Sequence, residues 1–435
     1  MSSSYQAALE RLYSLERFGI KLGLDNVGRL LRELGDPQLS CPAVHIGGTN
    51  GKGSVARTIA QVLHCAGYDC GLYTSPHLQR FNERIWQNGD QIDDGEVGGL
   101  FDECWSAMER VLAEQPSAQQ RPMTFFELVT AMAALYFSRR SAQIAVWEVG
   151  LGGRLDATNL VQPQVTLITS VAIEHEQWLG SSLAQIAAEK AGIIKPGVPV
   201  LTAVSHPEAL EVIESIAAER GAPLMRLGHD FSYTRLSKSR MNYDGLSLDL
   251  RDLRISLAGE HQLANAALAI AALELIQTQF SVNENDIRRG LSQVRWPGRL
   301  ERMGEQGQIV LDGAHNTEAA QALAAALAES PPRGKRLMLI GMGEDKDLAG
   351  FFELLGPHVD RAFLTRSQRP QAVDPRRLAA VAGPYIESIE ICDDVPAGLA
   401  ASRAQLREGD ELLVCGSLFV VGEARQIIQD EQGAR

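Results

Sequence analysis

No apolar run in this chain approaches the length of a membrane-spanning helix, and Met1 to Tyr5 opens no signal peptide, so a cytoplasmic location is expected and a membrane partner is not. Positive charge is also in deficit: 41 Lys and Arg stand against 54 Asp and Glu, a formal net charge of −13. Neutralising a nucleic-acid backbone needs a clustered basic face, so no nucleic-acid partner is expected, although local lysines and arginines can still serve an anionic substrate. The six cysteines (Cys41, Cys65, Cys70, Cys104, Cys392, Cys415) form no CxxC pair and show no zinc-like or disulfide-like spacing. That argues against a zinc or thiol-redox enzyme and for reduced thiols in the cytosol. Internal repeats and low-complexity segments are missing too. What remains, 45% apolar and 22% charged residues over 435 positions, is the composition of a globular enzyme with room for two domains.

The most informative stretch is Gly47-Gly48-Thr49-Asn50-Gly51-Lys52-Gly53-Ser54. It follows a short apolar run, Ala43 to Ile46, and precedes a helical pattern from Val55 to Cys65. A strand feeding a glycine loop feeding a helix aims backbone N–H groups and a helix N-terminus at a polyphosphate. Lys52 then reaches the β- and γ-phosphates, and the Ser54 hydroxyl is a ligand for Mg²⁺. The loop departs from the usual nucleotide pattern, with one residue fewer before the lysine and an added Gly53 after it.

With that departure, Gly-Thr-Asn-Gly-Lys-Gly-Ser resembles the loop of the Mur ligase superfamily, and Gly53 is similar to its folylpolyglutamate synthase branch. The resemblance runs from Gly23-Leu24-Asp25-Asn26 to Cys415-Gly416-Ser417. It implies an α/β fold: a Mur-ligase-like P-loop ATPase domain with a mostly parallel sheet, plus a smaller C-terminal Rossmann-like domain.

The pattern along the chain agrees. Strand-like runs at Ile144–Val149, Val165–Val171 and Val198–Val204 alternate with helical segments such as Phe125–Ser138 and Leu183–Ala191, which means βαβ units and a parallel sheet. Residues 231–257 read as a small antiparallel flap, followed by helices at His261–Gln277 and Glu284–Val294. Trp296-Pro297-Gly298-Arg299 breaks the helical period, placing the domains at 1–296 and 297–435. A second βα alternation follows, with strands expected at Gln308–Leu311, Arg336–Gly341, Arg361–Thr365, Ile386–Ile391 and Glu411–Val414.

Several motifs gain a chemical role from the resemblance. Thr74-Ser75-Pro76-His77-Leu78, otherwise a proline turn facing water, is similar to the family's mobile loop, whose serine is a metal ligand; that implies Ser75. Glu148 ends a buried strand, where an isolated carboxylate calls for a cation; the resemblance implies Mg²⁺, while a salt bridge to Arg154 is the competing arrangement. His175, in Ile173-Glu174-His175-Glu176, follows another strand and is implied as a metal ligand, with Glu174 standing where the family commonly has Asp. Lys190, by default a solvated helix lysine, is implied to be carbamylated and so to help hold a second Mg²⁺. Lys52, Glu148, His175 and Lys190 thus form the implied catalytic set. Gly51, Lys52, Gly53 and Ser54, with Asn265, Arg299, Asp312 and His315, form the implied ATP site. Gly23, Leu24, Asp25 and Asn26, then Thr124, Phe125, Phe126 and Glu127, then Leu155, Asp156 and Ala157 resemble segments lining the acceptor site. There a phenylalanine ring stacks on a flat pterin and Asp156 pairs with its amino-pyrimidine edge, although one of Phe125 and Phe126 is expected to pack the core.

By this resemblance the activity is ligation of L-glutamate to dihydropteroate and to the glutamate tail of folates, driven by ATP with two Mg²⁺ ions through an acyl phosphate. A need for a monovalent cation stays open, and a monomer is expected. A glutamyl ligase acting on folates alone, or a related Mur-type amino-acid ligase, remains an alternative. The stretch before Gly47 is short of a nucleotide-sugar domain of roughly 100–150 residues, which ranks the latter low. A nucleotide-dependent switch is the alternative from another class; it has no need of Arg299, Asp312 and His315.

Overall fold

The computed structural model describes residues 4–19, 21–114, 123–369 and 371–433. The chain divides into two compact units. One comprises Met1–Leu236, Arg240–Ile255 and Ala264–Val294; the other comprises Ser237–Ser239, Ser256–Leu263 and Arg295–Arg435. The second unit therefore starts just before the expected position 297 and also takes two short upstream pieces.

The first unit is built on an eight-stranded sheet. Its strands are β1 (Ala43–Gly47), β2 (Cys70–Tyr73), β3 (Ile85–Gln87), β4 (Asp90–Gln91), β5 (Ile144–Glu148), β6 (Pro163–Ile168), β7 (Val200–Thr202) and β8 (Leu224–Arg226). They lie in the order β4-β3-β2-β5-β1-β6-β7-β8. From β2 to β8 every pairing is parallel; only β3 and β4 run against their neighbours. The central strand β1 is buried at all five positions, as a parallel strand covered on both faces must be.

Two strands are shorter than their apolar runs suggest, because polar residues at their ends bond elsewhere. β6 stops at Ile168, since Thr169 and Ser170 turn to the phosphate loop. β7 stops at Thr202, whose hydroxyl donates to Ile168 O and accepts from Val204 N–H.

One apolar core packs α1 (Tyr5–Ser14), α2 (Asp25–Glu33), α4 (Asp94–Ala113) and α5 (Phe125–Arg139) through residues such as Leu12, Leu30, Phe101 and Met132, while α3 (Lys52–Cys65) follows the phosphate loop. The start of α4 carries Gly95, Gly98 and Gly99, poor helix formers that hide it from a sequence pattern; Asp93 caps it by accepting from Glu96 N–H. A second core joins α7 (Leu183–Ala191) and α8 (Pro207–Glu219) to β6 and β7, with the short α6 (Glu176–Leu179) ahead of α7.

The flap is three antiparallel strands, β9 (Ser232–Ser237), β10 (Arg240–Asp244) and β11 (Asp249–Arg254). Its turn is anchored on α9 (Glu260–Leu275): Glu274 accepts from Tyr243 Oη (2.5 Å) and from the backbone N–H groups of Leu246, Ser247 and Leu248. Helix α10 (Glu284–Gln293) follows.

The second unit holds a six-stranded sheet in the order β12-β13-β17-β14-β15-β16. These are β12 (Glu301–Met303), β13 (Ile309–Leu311), β14 (Arg336–Ile340), β15 (Arg361–Leu364), β16 (Ile389–Ile391) and β17 (Glu411–Cys415). All pair in parallel except β12, a short polar strand that hairpins onto β13. Alternating polar residues over so short a run gave no strand signal.

Candidate active site

At the end of β1 the chain turns through Gly48-Thr49-Asn50-Gly51 into α3, whose first residue is Lys52. Gly51 has φ of 88°, and a Cβ there would lie 2.7 Å from Asn265 Oδ1, so both backbone and space require glycine. Asn265 of α9 is thereby placed against the phosphate loop. Lys52 Nζ donates to the carbonyls of Gly48 (2.8 Å) and Thr49 (2.9 Å), closing the loop around its own ammonium. Ser54, in the first turn of α3, is only 2% exposed. The segment after β6 fixes the loop from the side: Thr49 and Asn50 N–H donate to Ser170, and the Thr169 hydroxyl donates to Asn50 O at 2.6 Å. The sequence reading missed Thr169 and Ser170; two hydroxyl residues at the end of an apolar strand were the available signal.

Strands β2 and β5 are neighbours in register Tyr73↔Trp147, so Ser75 and Glu148 emerge side by side. Ser75 N–H donates to Glu148 Oε2 at 3.0 Å, and Glu148 is 5% exposed. The competing Glu148–Arg154 pair does not form; Arg154 pairs with Glu189 at 2.8 Å. Among the described residues no cluster of three or more His, Cys, Asp and Glu could cage a metal. A magnesium site does not need one, because Mg²⁺ keeps its waters and binds through one or two protein oxygens plus substrate phosphates. The hard oxygens of Ser75 and Glu148 after neighbouring strands, and of Ser54 in the first turn of α3, are of the kind that demand calls for.

His175 adopts a left-handed backbone (φ 51°) at the start of α6. Lys190, at the end of α7, is 1% exposed, and its Nζ donates to Glu174 Oε1 at 3.3 Å. A buried ammonium needs an anion, and Glu174 supplies one; this gives a role to the residue at which the sequence departs from the family pattern.

Of the residues that resemble acceptor-site segments, Leu24, Phe125, Phe126 and Ala157 share one apolar cluster. Phe125 is the ring that packs inward, stacked on Tyr13 at 5.6 Å and 8°. Phe126 is part-buried against Gly150, where a Cβ would lie 2.5 Å from its Cζ. Thr124 and Glu127 form a capping box: Glu127 Oε2 accepts from Thr124 N–H (2.7 Å) and Oγ1, and Thr124 Oγ1 accepts from Glu127 N–H. Their hydrogen bonds thus start α5. At the N-terminus of α2, Asp25 is exposed and Asn26 buried; Gly23 and Leu155 are half-buried.

Asp156 is 4% exposed and held at both oxygens. Oδ1 accepts from Thr158 N–H (3.0 Å) and Oγ1 (2.6 Å), and Oδ2 accepts from Gly150 and Leu151 N–H (3.1 and 2.9 Å). Burial raises its pKa, and these donors oppose the rise. A pterin contact would therefore share oxygens that already order the loop.

The second unit gathers its own polar set. Asp312, at the end of β13, accepts from Leu300 and Ala314 N–H, each at 2.9 Å. A Cβ on Gly313 would lie 2.3 Å from Arg299 Nη1, so that glycine lets the guanidinium lie close. His315 Nδ1 lies 2.7 Å from Gly313 O, which makes Nδ1 the protonated nitrogen. His261 joins them; burial lowers its pKa, Asp312 opposes this and Arg299 adds to it.

The Mur ligase middle domain family matches residues 46–273, and the family described as "Mur ligase, glutamate ligase domain" matches residues 298–418. The chain belongs to the Mur ligase family. It is 34% identical over 435 residues to dihydrofolate synthase/folylpolyglutamate synthase of Bacillus subtilis, covering 98% of this chain and 99% of that one. It superposes with a TM-score of 0.89 on FolC of Escherichia coli in complex with DHPP and ADP, at 32% identity and 99% coverage of both chains. The enzyme of the same kind from Yersinia pestis, complexed with AMPPNP and a Mn ion, gives 0.88 at 30% identity and 98% coverage of both. This Mur ligase is accordingly an ATP-dependent ligase of the dihydrofolate synthase/folylpolyglutamate synthase branch, with an α/β, mostly parallel architecture. Among the described residues no helix is long and apolar enough to cross a membrane.

Proposed function

We propose that this chain ligates L-glutamate to dihydropteroate, forming dihydrofolate, and to the glutamate tail of tetrahydrofolates. One observation carries the reading: the phosphate loop after β1, the Ser75–Glu148 pair after β2 and β5, and the Phe126–Gly150–Asp156 loop lie at one edge of one sheet. An anionic acceptor and a polyphosphate bound there approach each other, which phosphoryl transfer requires.

The acceptor carboxylate oxygen attacks the γ-phosphorus of ATP, and the bond to the bridging oxygen breaks to release ADP. The amine of glutamate then attacks the acyl carbonyl; phosphate leaves and the amine gives up its proton. Gly51, Gly53 and the N-terminus of α3 bind the phosphates, and Lys52 neutralises the transferring group. Asn265 contacts the nucleotide from beside the loop, and Arg299, Asp312 and His315 are the second unit's own nucleotide-binding set in this reading. Ser54, Ser75 and Glu148 would hold one Mg²⁺, and His175 with Lys190 a second; these ions supply charge neutralisation between two anions. Carbamylation of Lys190 would place an anion beside Glu174, tolerable only with a cation between them, so the modification and the second metal stand together. The described cysteines are free thiols, which supports a cytoplasmic location; a monomer is part of the same reading.

The test is purified protein with ATP, Mg²⁺ and labelled glutamate, each acceptor offered separately, with and without K⁺. ADP release that depends on both acceptor and glutamate, with dihydropteroate and tetrahydrofolate each accepted, is expected. ADP release without an acceptor would favour a switch, and loss of the dihydropteroate reaction alone would leave a folate-only ligase.

A further inference from the structure

His45 lies in the middle of β1, fully buried among Ala43, Val44 and Ile46. Its ring meets the short 3-10 turn Ala157–Leu160, where Nε2 is 2.9 Å from Thr158 Oγ1. The Thr158 hydroxyl donates to Asp156 Oδ1. A hydroxyl has one proton, and here it is spent on the carboxylate, so the first bond must be donated by His45 Nε2–H. That fixes the tautomer and leaves Nδ1 as a lone pair; Nδ1 is buried without a partner. The ring is neutral: burial, with Lys195 adding to it, brings its pKa down to about 3.

An orphaned buried nitrogen is a penalty that a leucine or phenylalanine in the same strand would avoid. Three of the four donors to Asp156 are backbone N–H groups; only Thr158 Oγ1 answers to a side chain, and His45 polarises it.

We propose that His45 is a positioning residue of the acceptor site, holding the Asp156 carboxylate through Thr158 in the orientation that meets the acceptor. The proposal rests on the reading of Asp156 as an acceptor contact. It assigns the strand that feeds the phosphate loop a second task, on the opposite substrate.

The test is steady-state kinetics of ATP-dependent glutamate ligation, varying dihydropteroate and ATP in turn, for His45→Leu, His45→Gln, Thr158→Val and Asp156→Asn. Losing one such hydrogen bond corresponds to roughly tenfold in binding. His45→Leu and the isosteric Thr158→Val should each raise the acceptor KM about that much, with kcat and the KM for ATP within about twofold of wild type. The glutamine amide places a donor where Nε2 stood, so His45→Gln should recover most of the loss. An acceptor KM unchanged in Thr158→Val but raised in Asp156→Asn overturns the relay and leaves Asp156 as an acceptor contact. An unchanged KM in Asp156→Asn overturns the underlying reading. A parallel rise in the KM for ATP, or His45→Gln no better than His45→Leu, would mean that His45 merely packs β1. Should His45→Leu fail to fold, His45→Gln is compared with Thr158→Val: an acceptor KM near wild type in the first and raised in the second is expected, and an unchanged KM in Thr158→Val still overturns the relay.

Discussion

Arg154 and Glu189 tie the loop after β5 to the helix that carries Lys190. The backbone N–H of Arg154 donates to Glu189 O at 2.8 Å, and its guanidinium meets Glu189 Oε1 at 2.8 Å. The carbonyls of Glu189 and Lys190 would each lie 2.9 Å from a Cβ on Gly153, so loop and helix end are in close contact. The order of Asp156 and the placement of Lys190 are therefore not independent. Because the Arg154 side chain is 55% exposed, the ion pair itself contributes little, and the backbone bond carries the connection.

Lys52→Ala should lower kcat by ~100- to 1000-fold, the usual effect of removing an electrostatic stabiliser of a transition state. Its ammonium also bridges the Gly48 and Thr49 carbonyls, so the loop loses an internal clamp as well. ADP release in a coupled assay measures this; near-normal turnover would remove Lys52 from the phosphate site.

Lys190→Arg should be inactive, because a guanidinium cannot become a carbamate and the site is closed to solvent. Lys190→Ala should regain part of its activity with a small carboxylate such as acetate. A carbamate carbonyl signal from wild-type protein in labelled bicarbonate, missing from both variants, is the direct readout.

Gly150→Ala should act on the acceptor alone. The new methyl would lie 2.5 Å from Phe126 Cζ, so the ring has to move. Misplacing a binding element by about an ångström commonly costs ~100-fold, and a loss of about 10- to 100-fold in kcat/KM for dihydropteroate is expected. The KM for ATP should hold. An equal loss for both substrates would show that the ring does not belong to the acceptor side.

Acid stability should report on His45. The unfolded chain binds a proton on this ring below its ordinary 6.5, the folded chain only below about 3. Between those values the unfolded state holds more protons, so stability falls as pH falls from 6.5 toward 3. Urea unfolding of wild type and His45→Gln across that window should show a shallower acid slope in the variant. Identical slopes would mean that the ring is not buried in neutral form.

The phosphate loop, the strand-end carboxylate and the flap were legible in the sequence because each has a local cause: a glycine spacing, a buried charge, a change of period. The start of α5 at Phe125 was legible too, and the capping box that fixes it is written in the sequence as Thr124-x-x-Glu127. His45 stood in plain view as a polar residue inside an apolar strand, but its partner Thr158 lies 113 positions away, and only the fold unites them. The bond between Glu174 and Lys190 likewise depends on how α7 returns to the sheet. Helices α1, α2 and α4 escaped notice because short or glycine-rich amphipathic segments draw their stability from packing.

In the proposed function four neighbouring strand ends carry the chemistry, in the order β2, β5, β1, β6. At about 4.8 Å between strands they span roughly 14 Å, with the loops after β2 and β5 on one flank and the phosphate loop and its buttress on the other. The flanks are not separate, because His45 of β1 reaches Thr158 on the β5 side, so a change of acceptor loop is felt by the strand that feeds the phosphate loop. Such a layout makes the choice of acid and the means of activating it two readings of one sheet edge, joined at β1.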